Sequence, residues 1–294
     1  MKDVDLLILE HAVRNLETYT LIARLGFKKV AFWGHGRTYT KAVPKKQEAL
    51  KYALARRAAW FFSYTEGGKA ALARNGVRAE KITVLGNSFD TSTLSRQLTG
   101  ISDEDISRFV RNYDLSGKTA LFIGGLDNSK RLPFLIEACD QVAASVEGFR
   151  LLICGDGDLM GYVREQALTR PWIKVLGPLF GEDKALALAA SQLIAMPGRV
   201  GLIAVDSFVA GTPIVTTRWE WHAPEFEYLV EGVNSLITDN DPGSYAAALE
   251  DALKSEEDLQ FLRQGALASK ETYSLDSMVD NFVSGLLAWK RGAE

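Results

Sequence analysis

The sequence predicts an α/β fold built on parallel sheets. Three observations carry that prediction: short apolar runs alternate with longer segments of helical periodicity, glycines directly follow several of the runs, and the 294 residues are enough for about two domains. Parallel strands need a crossover between them, usually a helix, so the alternation of the two patterns favours parallel pairing.

Residues 1–90 predict a first domain in which strands and helices alternate. The apolar runs predict four buried strands, over 4–9, 29–33, 60–64 and 82–85. Helical patterns predict one helix ending near Leu25 and two more over 45–59 and 67–75. Gly76 directly follows the third helix and is its predicted C-terminal cap, because glycine readily takes the left-handed conformation that ends many helices.

The segment 91–117 is polar and carries charges of both signs, which predicts a linker between two domains. A second domain is predicted over 118–274. Its apolar runs predict strands over 120–123, 150–154, 173–176, 193–196, 214–217 and 235–237. Its helical patterns lie over 131–146, 158–167, 183–191, 202–210, 242–253 and 259–270. This unbroken alternation predicts a doubly wound parallel sheet, and we expect a C-terminal helix within 275–294 to pack back on the N-terminal domain.

Charge and composition exclude several classes of function. Lys and Arg number 34 and Asp and Glu 37, so the net charge of 34 − 37 = −3 provides no basic field for nucleic acid. Cys139 and Cys154 form no Cys-x-x-Cys pair and the three histidines are scattered, which argues against a structural zinc site. No run approaches the ~20 apolar residues of a membrane span, and the N-terminus lacks the apolar stretch of a signal peptide. The expectation is a cytoplasmic protein with reduced cysteines.

Glycines stand at four predicted strand ends of the second domain. They are Gly124 with Gly125, Gly155 with Gly157, Gly177, and Gly198 with Gly201. In open parallel sheets, ligands bind beyond the carboxyl ends of the strands, where backbone amides and helix N-termini point. Each glycine alone is typical of an ordinary turn, but four on one rim indicate a surface that a ligand approaches closely. Lys130 and Arg131 follow the first turn and suit either a phosphate clamp or a solvated basic turn.

The densest signal is the segment 196–217, which reads MPGRVGLIAVDSFVAGTPIVTT. Its glycines open a predicted helix, and Asp206 falls inside the otherwise apolar part of that helix. A buried acid is costly unless it has a partner. The two hydroxyls of a ribose are one partner that a carboxylate can bind.

This segment resembles the donor-binding signature of retaining GT-B glycosyltransferases of family 4. The family pattern is a proline, a glutamate, glycine-leucine, a second glutamate eight residues after the first, and Gly-x-Pro-Val. The residues that fit it are Gly201, Leu202, Asp206, Gly211 and Pro213. Further pieces resemble the family in the same order, at 34–36, 64–66, 82–90, 124–138, 155–157 and 227–234. The similarity extends over nearly the whole chain.

The resemblance implies a nucleotide-diphosphate sugar as the donor and assigns residues to it. Lys130, with Arg131 in reserve, would neutralise the diphosphate, and Asp206 would hold the ribose hydroxyls. The predicted donor-binding set is completed by the glycine loops and by backbone amides at the start of the following helix. These residues are Gly124, Gly125, Gly155, Gly177, Val200, Gly201 and Leu202.

The resemblance also implies the reaction, which is transfer of a hexosyl group to an acceptor hydroxyl with retention at the anomeric carbon. His35 would face the donor sugar from the first domain and Glu227 would contact it from the second, and these are the predicted catalytic residues; Glu225, Trp221 and His222 lie in the same loop as Glu227. The family works without a metal, so no metal site and no cofactor are expected. Asp156 and Asp158 match an Asp-x-Asp metal motif, but a glycine turn explains them better.

Three departures from the family pattern bear on this assignment. Gly198 stands where the family has its first acid, and the second acid is Asp206 rather than glutamate. Gly125 stands where an arginine is common in the phosphate turn. The N-terminal domain also looks shorter than the family's, since only about 90 residues precede the predicted linker, and this leaves room for a partner chain or self-association there.

Two alternatives stay open from the sequence. A GT-B sugar-nucleotide epimerase would share the fold and the phosphate clamp, and a non-catalytic donor-binding subunit would need a partner chain to complete it. The acceptor is left open as a carbohydrate, a lipid-linked glycan or a small molecule. The segment 41–58 begins at Lys41, ends at Ala58 and carries six basic residues against the single acid Glu48. It could contact an anionic membrane surface, although a solvated face is the simpler interpretation.

Overall fold

The computed structural model describes residues 4–39, 42–115 and 117–293. These residues form two compact units, one of residues up to 89 together with 272 onwards, and the other of residues 90–271. The strands are β1 (Leu7–Glu10), β2 (Val30–Gly34), β3 (Trp60–Ser63), β4 (Ile82–Val84), β5 (Thr119–Ile123), β6 (Arg150–Cys154), β7 (Ile173–Gly177), β8 (Leu193–Ala195), β9 (Ile214–Thr217) and β10 (Ser235–Thr238). The helices are α1 (Leu16–Leu25), α2 (Lys45–Arg57), α3 (Glu66–Arg74), α4 (Ser92–Gly100), α5 (Asp103–Asn112), α6 (Leu132–Ser145), α7 (Met160–Thr169), α8 (Gly181–Ala189), α9 (Ile203–Ala210), α10 (Pro242–Lys254), α11 (Glu256–Ser269) and α12 (Leu275–Ala293).

The first unit is a four-stranded sheet in the order β1-β2-β3-β4, with every neighbouring pair parallel. One face packs on α1 and α2 through a core that includes Phe32, Phe61 and Leu72. The other face packs on α12, whose Met278 and Phe282 contact Phe62 and its neighbours. Helix α12 approaches the sheet closely because it has a glycine at 285, where a Cβ would lie 2.5 Å from Thr83 Oγ1.

The second unit is a six-stranded sheet in the order β10-β9-β8-β5-β6-β7, again parallel throughout. The strand order continues outward from the central pair, through β6 and β7 on the side of β5 and through β9 and β10 on the side of β8. This is the strand order of a dinucleotide-binding fold. The parallel α/β architecture expected from the apolar runs is therefore confirmed in both units.

The predicted linker over 91–117 is wrong. The segment forms α4 and α5, which pack on α8 and belong to the second unit. Each helix buries few large apolar side chains, among them Leu94 and Phe109, and turns its charged residues to solvent. Because so few of their residues are large and apolar, these two helices have the amino-acid composition of a linker. Helix α5 is also fixed locally by a capping box, in which Ser102 and Asp105 each accept the other's backbone N–H.

The predicted basic segment 41–58 coincides largely with α2, although Lys41 lies outside the described residues. Lys45 and Lys46 are exposed in its first turn, whereas Lys51 donates to Thr38 Oγ1 and lies 3.6 Å from Glu48. The membrane contact of this helix stays a prediction. Among the described residues, every helix is too short or too polar to cross a bilayer.

Candidate functional site

The candidate site lies where the strand order of the second sheet reverses, between β5 and β8. Beyond the carboxyl ends of these strands, one loop runs over 124–131 and another over 196–202. The two loops start from adjacent strands and lead into α6 and α9. A crevice at such a reversal is the usual ligand site of open parallel sheets.

The two loops are in direct backbone contact at Gly198. A Cβ there would lie 2.4 Å from Ser129 O and 2.7 Å from Lys130 Cα, and the Arg199 amide donates to Ser129 O at 2.8 Å. No side chain fits without moving the backbone of the facing loop. This contact gives a physical reason for the departure at Gly198, since an acid at that position is incompatible with the observed approach of the loops.

Lys130 brings a positive charge into this contact. Its Nζ donates to Arg199 O at 2.6 Å. The pKa of Lys130 is lowered to about 8, mainly by burial, with Asp127 opposing the shift and Arg199 adding to it. A lysine so desolvated gains from an anion beside it, because the anion replaces the lost hydration.

Arg131 braces the same loops from the other side. It has a left-handed φ of 57°. Its Nη1 donates to Pro197 O and Thr217 Oγ1, both at 3.3 Å, and to Asn240 Oδ1. The guanidinium also lies 4.1 Å from the Phe134 ring centroid. Nε and Nη2 have no hydrogen-bond acceptor among the described residues, so one side of the guanidinium stays available to a ligand.

Three residues of the predicted donor-binding set have backbone amides that are already used within the protein. The Gly124 amide donates to Cys154 O, the Gly155 amide to Gly177 O, and the Val200 amide to His222 Nδ1. The Val200 amide is therefore not free to bind a ligand, which corrects that part of the prediction. The assignment of Gly124 and Gly155 to the donor site, which rests on close approach of a ligand to the backbone, stays a prediction. Gly155 is required for packing instead, since a Cβ on it would lie 1.8 Å from Gly124 O.

Three other backbone amides in the same two loops are not used within the described part of the protein. Those of Gly125, Gly201 and Leu202 have no acceptor in the part of the chain that the structure describes. Gly201 and Leu202 directly precede α9, whose positive dipole end therefore faces the crevice. These free amides extend the positive surface that Lys130 begins.

Asp206 has a protein partner, which the sequence did not reveal. Lys184 Nζ, from α8, donates to both carboxylate oxygens at 2.7 and 2.8 Å. Asp206 is only 6% exposed, and burial raises its pKa against the opposing pull of Lys184. The ion pair supplies the partner that a buried acid requires, so the burial of Asp206 does not by itself indicate a ribose. The assignment of Asp206 to the ribose hydroxyls stays a prediction. Its carboxylate remains a candidate for contact with hydroxyls next to Lys184.

Gly177 ends the edge strand β7, two strands away from β5. Its φ of 76° is left-handed and its carbonyl accepts from Gly155. Three residues further on, Phe180 is 78% exposed just before α8. Sequence reasoning missed Phe180, although an apolar aromatic in a glycine-bounded turn is a signal for an exposed contact surface.

His222 was considered only as a neighbour of Glu227, but it holds the 196–202 loop in place. Its Nδ1 accepts from the Val200 amide, so Nε2 carries the proton and donates to Thr217 O at 2.8 Å. The ring stacks on Phe226 at 4.1 Å. Burial lowers the pKa of His222 to about 4, with the charges of Lys130, Arg131 and Arg199 adding to the shift.

Ser129 was also missed. Its Oγ is buried and has no hydrogen-bond partner among the described residues. The hydroxyl belongs to the turn between Asp127 and Lys130 that faces Gly198. A buried unpaired hydroxyl is costly, and it marks a place where a ligand could supply the missing bond.

The two predicted catalytic residues lie in different units. His35 follows β2 in the first unit, where its ring meets Tyr64 edge-on at 4.7 Å. Partial burial lowers the pKa of His35, and Lys51 adds to the shift. A small pocket of about 50 Å³ here is lined by His35, Glu10 and Trp33 among others. The buried indole N–H of Trp33 has no acceptor within the described part of the chain.

Glu227 is half-buried in a short 3₁₀ turn, Pro224–Tyr228, of the second unit. Of the two glutamates in that turn, Glu225 lies nearer the start of α9. Its Oε2 is 3.8 Å from the place a Cβ would take on Gly201, and the residue is 4% exposed. Sequence reasoning preferred Glu227, and the structure adds Glu225 as a second candidate.

No group of three or more His, Cys, Asp or Glu side chains is placed to hold a metal ion in the described residues. Asp156 and Asp158 are exposed, and Asp156 Oδ1 accepts from the Gly157 amide as in an ordinary turn.

Comparison with known proteins defines the class of the second unit. Residues 117–255, a little under half of the chain, match the family model described as Glycosyl transferases group 1. A 2-deoxystreptamine N-acetyl-D-glucosaminyltransferase of Niallia circulans is 21% identical over 182 residues. A D-inositol 3-phosphate glycosyltransferase of Corynebacterium urealyticum is 26% identical over 194 residues. Each alignment spans 60% of this chain and 44% of the relative, so the chain covers less than half of either protein.

Solved structures match over both units. HepE of Anabaena in complex with UDP has a TM-score of 0.74 at 18% identity, covering 92% of this chain and 74% of HepE. The lipopolysaccharide outer core galactosyltransferase WaaB has a TM-score of 0.70 at 13% identity, covering 98% of this chain and 76% of WaaB. These likenesses establish the fold, which is the two-sheet α/β architecture of GT-B glycosyltransferases.

Proposed function

We propose that this chain is a glycosyltransferase that moves a hexosyl group from a nucleotide-diphosphate sugar to an acceptor hydroxyl, with retention. The observation that carries the proposal is the contact between the two loops at the strand reversal, where Lys130 Nζ donates to Arg199 O. Ser129 Oγ in one loop and the Gly201 and Leu202 amides in the other have no partner among the described residues. The match of residues 117–255 to the group 1 family model supports it.

The diphosphate would lie against Lys130 and the start of α9. An ammonium group, a hydroxyl and two amides offer the donors that phosphate oxygens need, and the helix dipole adds to their effect. In this proposal these groups supply the positive charge, so no metal ion is required. Addition of a chelator should then leave transfer unchanged.

The nucleoside would extend over β6 towards β7. These strands lie one and two spacings from β5, or about 10 Å in all, which brings Phe180 within reach of a base. The Lys184–Asp206 pair joins α9 to α8, the helix that directly follows Phe180. We assign the ribose hydroxyls to this pair, with Asp206 accepting and Lys184 positioning it.

The departure at Gly198 suggests how retention is achieved. A double displacement needs a carboxylate at the anomeric carbon, and the loop contact at Gly198 leaves no room for one there. In the proposed step the bond between the anomeric carbon and the phosphate oxygen breaks while the acceptor oxygen bonds to the same face. The acceptor proton passes to the departing phosphate, and Lys130 stabilises the charge that develops on it. Glu227, which belongs to the same unit as Lys130, would orient the sugar, and the catalytic role of His35 stays a prediction.

Uridine is the first base to test, because HepE structures are described with UDP and with UDP-glucose. Calorimetric titration with UDP, GDP and uridine measures recognition of the base and of the diphosphate. A transfer assay with UDP-glucose and a panel of glycan and lipid-linked acceptors measures the reaction. Release of UDP with a new glycosidic product supports the proposal. Interconversion of sugar nucleotides without acceptor would indicate an epimerase, and tight binding without transfer would indicate a donor-binding subunit.

A further inference from the structure

A second site lies in the first unit, at the amino-terminal ends of the strands, whereas His35 lies beyond the carboxyl end of β2. It is a cleft of about 1040 Å³ at the amino-terminal ends of β2, β3 and β4, closed on its remaining side by the last turns of α12. We name it the basal cleft. Its walls come from five stretches of chain, near residues 5, 28, 60, 80 and 290.

The basal cleft is strongly cationic although the whole chain is slightly acidic. Its six basic lining residues are Lys28, Lys29, Arg78, Lys81, Lys290 and Arg291. Two acids also line it, Asp5 and Glu80, so the lining carries 6 − 2 = +4 against −3 for the chain. Glu80 is paired with Arg78 at 3.4 Å. The other five cations form no ion pair with any residue that the structure describes.

Local structure explains only part of this charge. Lys290 and Arg291 lie in the last turn of α12, where cations complement the helix dipole. Lys28, Arg78 and Lys81 have no such role, because they lie in the short turns that lead into β2 and β4. Like charges brought close together repel one another, and a bound anion would relieve that repulsion. Burial and the charge of Arg78 lower the pKa of Lys81, and the charge of Glu80 opposes the shift.

Two tryptophans give the basal cleft an apolar floor. Trp60 is 8% exposed, and its indole N–H donates to Thr83 Oγ1 at 2.8 Å. Trp289 is half-buried and packs against the same core cluster as Trp60. A fixed aromatic floor under a cationic rim suits a ligand with a phosphate next to an apolar or planar part.

We propose that the basal cleft binds a phosphate-bearing anion. The inference is independent of the donor site, because every residue of the cleft belongs to the first unit and the donor site belongs to the second. Phosphate rather than carboxylate chemistry is favoured, because several lysines and arginines converge on one cavity and only a multiply charged group can satisfy them together.

The test uses the whole chain and inorganic pyrophosphate as the probe. Indole N–H resonances are followed in ¹⁵N-labelled protein and assigned by Trp→Phe variants. Trp60 and Trp289 report on the basal cleft, and Trp219, whose ring centroid lies 5.6 Å from the Arg131 guanidinium, reports on the donor site. Saturable shifts of Trp60 or Trp289 are expected. If the indole shifts of Trp60 and Trp289 stay unchanged while pyrophosphate saturates the shift of Trp219, the proposal is overturned.

A charge variant locates the binding groups. The triple substitution Lys28→Gln, Lys81→Gln and Lys290→Gln should weaken the Trp289 response about tenfold, at roughly 0.5 kcal/mol for each exposed charge. The matched control is Lys45→Gln with Lys46→Gln in α2, which removes exposed charge elsewhere in the same unit and should leave the Trp289 response within twofold. Equal weakening by both variants would show a general charge effect and would overturn the proposal.

Vesicles distinguish the two sources of the phosphate. Phosphatidylglycerol vesicles that bind the protein and displace pyrophosphate from the Trp289 response would identify a lipid headgroup as the ligand. Pyrophosphate binding without vesicle binding would identify a free phosphorylated molecule, and either result supports the site. Phosphatidylcholine vesicles, which carry no net charge, serve as the reference.

Discussion

The two sheets are built from the same alternation of parallel strands and helices, but only the second reverses its strand order. In the first sheet β1 to β4 follow one another in sequence, whereas in the second the order turns back between β5 and β8. Both carry glycine loops at their carboxyl edge. In the first, Gly36 lets the loop pack on α3, since a Cβ there would lie 2.6 Å from Gly68 O. In the second, the glycines join two loops around Lys130.

This difference shows that glycine content alone does not define a ligand site. A crevice forms where neighbouring strands send their loops to opposite faces of the sheet, and this happens at the reversal. The cations and free amides of the second unit are then gathered at one point. In the first unit, six cations instead line the basal cleft, at the amino-terminal ends of the strands.

The largest effect is expected at the loop contact. Gly198→Glu restores the family's acid but must displace the backbone of Ser129 and Lys130, so the free energy of unfolding should fall by about 3 kcal/mol. Binding of UDP should be lost as well. Gly161→Glu is the matched control, because no atom lies within 4 Å of a Cβ at that position. A Gly198→Glu protein that matches the control in urea unfolding would refute the importance of this contact.

Acid should destabilise each unit through one histidine. His11 follows β1, is partly buried and has its Nε2 3.0 Å from Lys51 O, and His222 in the second unit is buried. Burial lowers the pKa of His11 and of His222 to about 4. The unfolded chain takes up a proton near pH 6.5 and the folded protein does not, so stability falls as the pH drops from about 6.5 to 4, by at most about 3 kcal/mol for each histidine. Urea unfolding at a series of pH values measures this. His11→Gln and His222→Gln should each flatten the acid slope, and unchanged slopes would contradict the assignment.

Lys130→Ala should weaken UDP binding by about 2 kcal/mol, or roughly 30-fold, and leave uridine binding unchanged. The reason is that Lys130 meets the phosphates and not the base. Lys51→Ala, which removes a cation of α2 in the first unit, should leave UDP affinity unchanged. Calorimetric titration measures both. Equal losses for UDP and uridine would show that Lys130 acts only through folding.

The affinity for UDP should also depend on alkaline pH. Because the pKa of Lys130 is about 8, the charged form is present below pH 8 and is lost above it. We expect UDP affinity to fall about tenfold between pH 7 and 9. Lys130→Arg keeps its charge over this range and should give a flat profile. A wild-type profile as flat as that of the variant would contradict the role of Lys130.

The smallest effect is expected for Asp206→Asn. The raised pKa of Asp206 shows that burial already disfavours its charge, so a neutral amide should cost only about 1 kcal/mol of stability. Donor affinity should fall if the carboxylate accepts from ribose hydroxyls. The comparison is between UDP and a 2′,3′-dideoxy analogue. An unchanged preference between them in the variant would remove the ribose from this site.

The sequence predicted much of the fold because periodicity and glycine turns are local signals. Strand β6 and strand β9 match their predicted bounds, and other elements differ by a few residues at their ends. The exceptions are α4 and α5, whose apolar stripes were too thin to distinguish from a linker. Helix propensity and caps were present there, but packing against α8 decided the outcome.

The sequence by itself determined the parallel α/β architecture, the glycine rim and the position of Lys130 beside it. Only the tertiary structure decided which groups of that rim are free. Lys184 neutralises Asp206 across 22 residues, and Lys130 meets Arg199 across 69. His222 Nδ1 accepts the hydrogen bond of the Val200 amide, and residues 128–130 fill the space beside Gly198. These pairings join residues far apart in the chain, and no periodic pattern encodes them, because they exist only after the strands have been set in order.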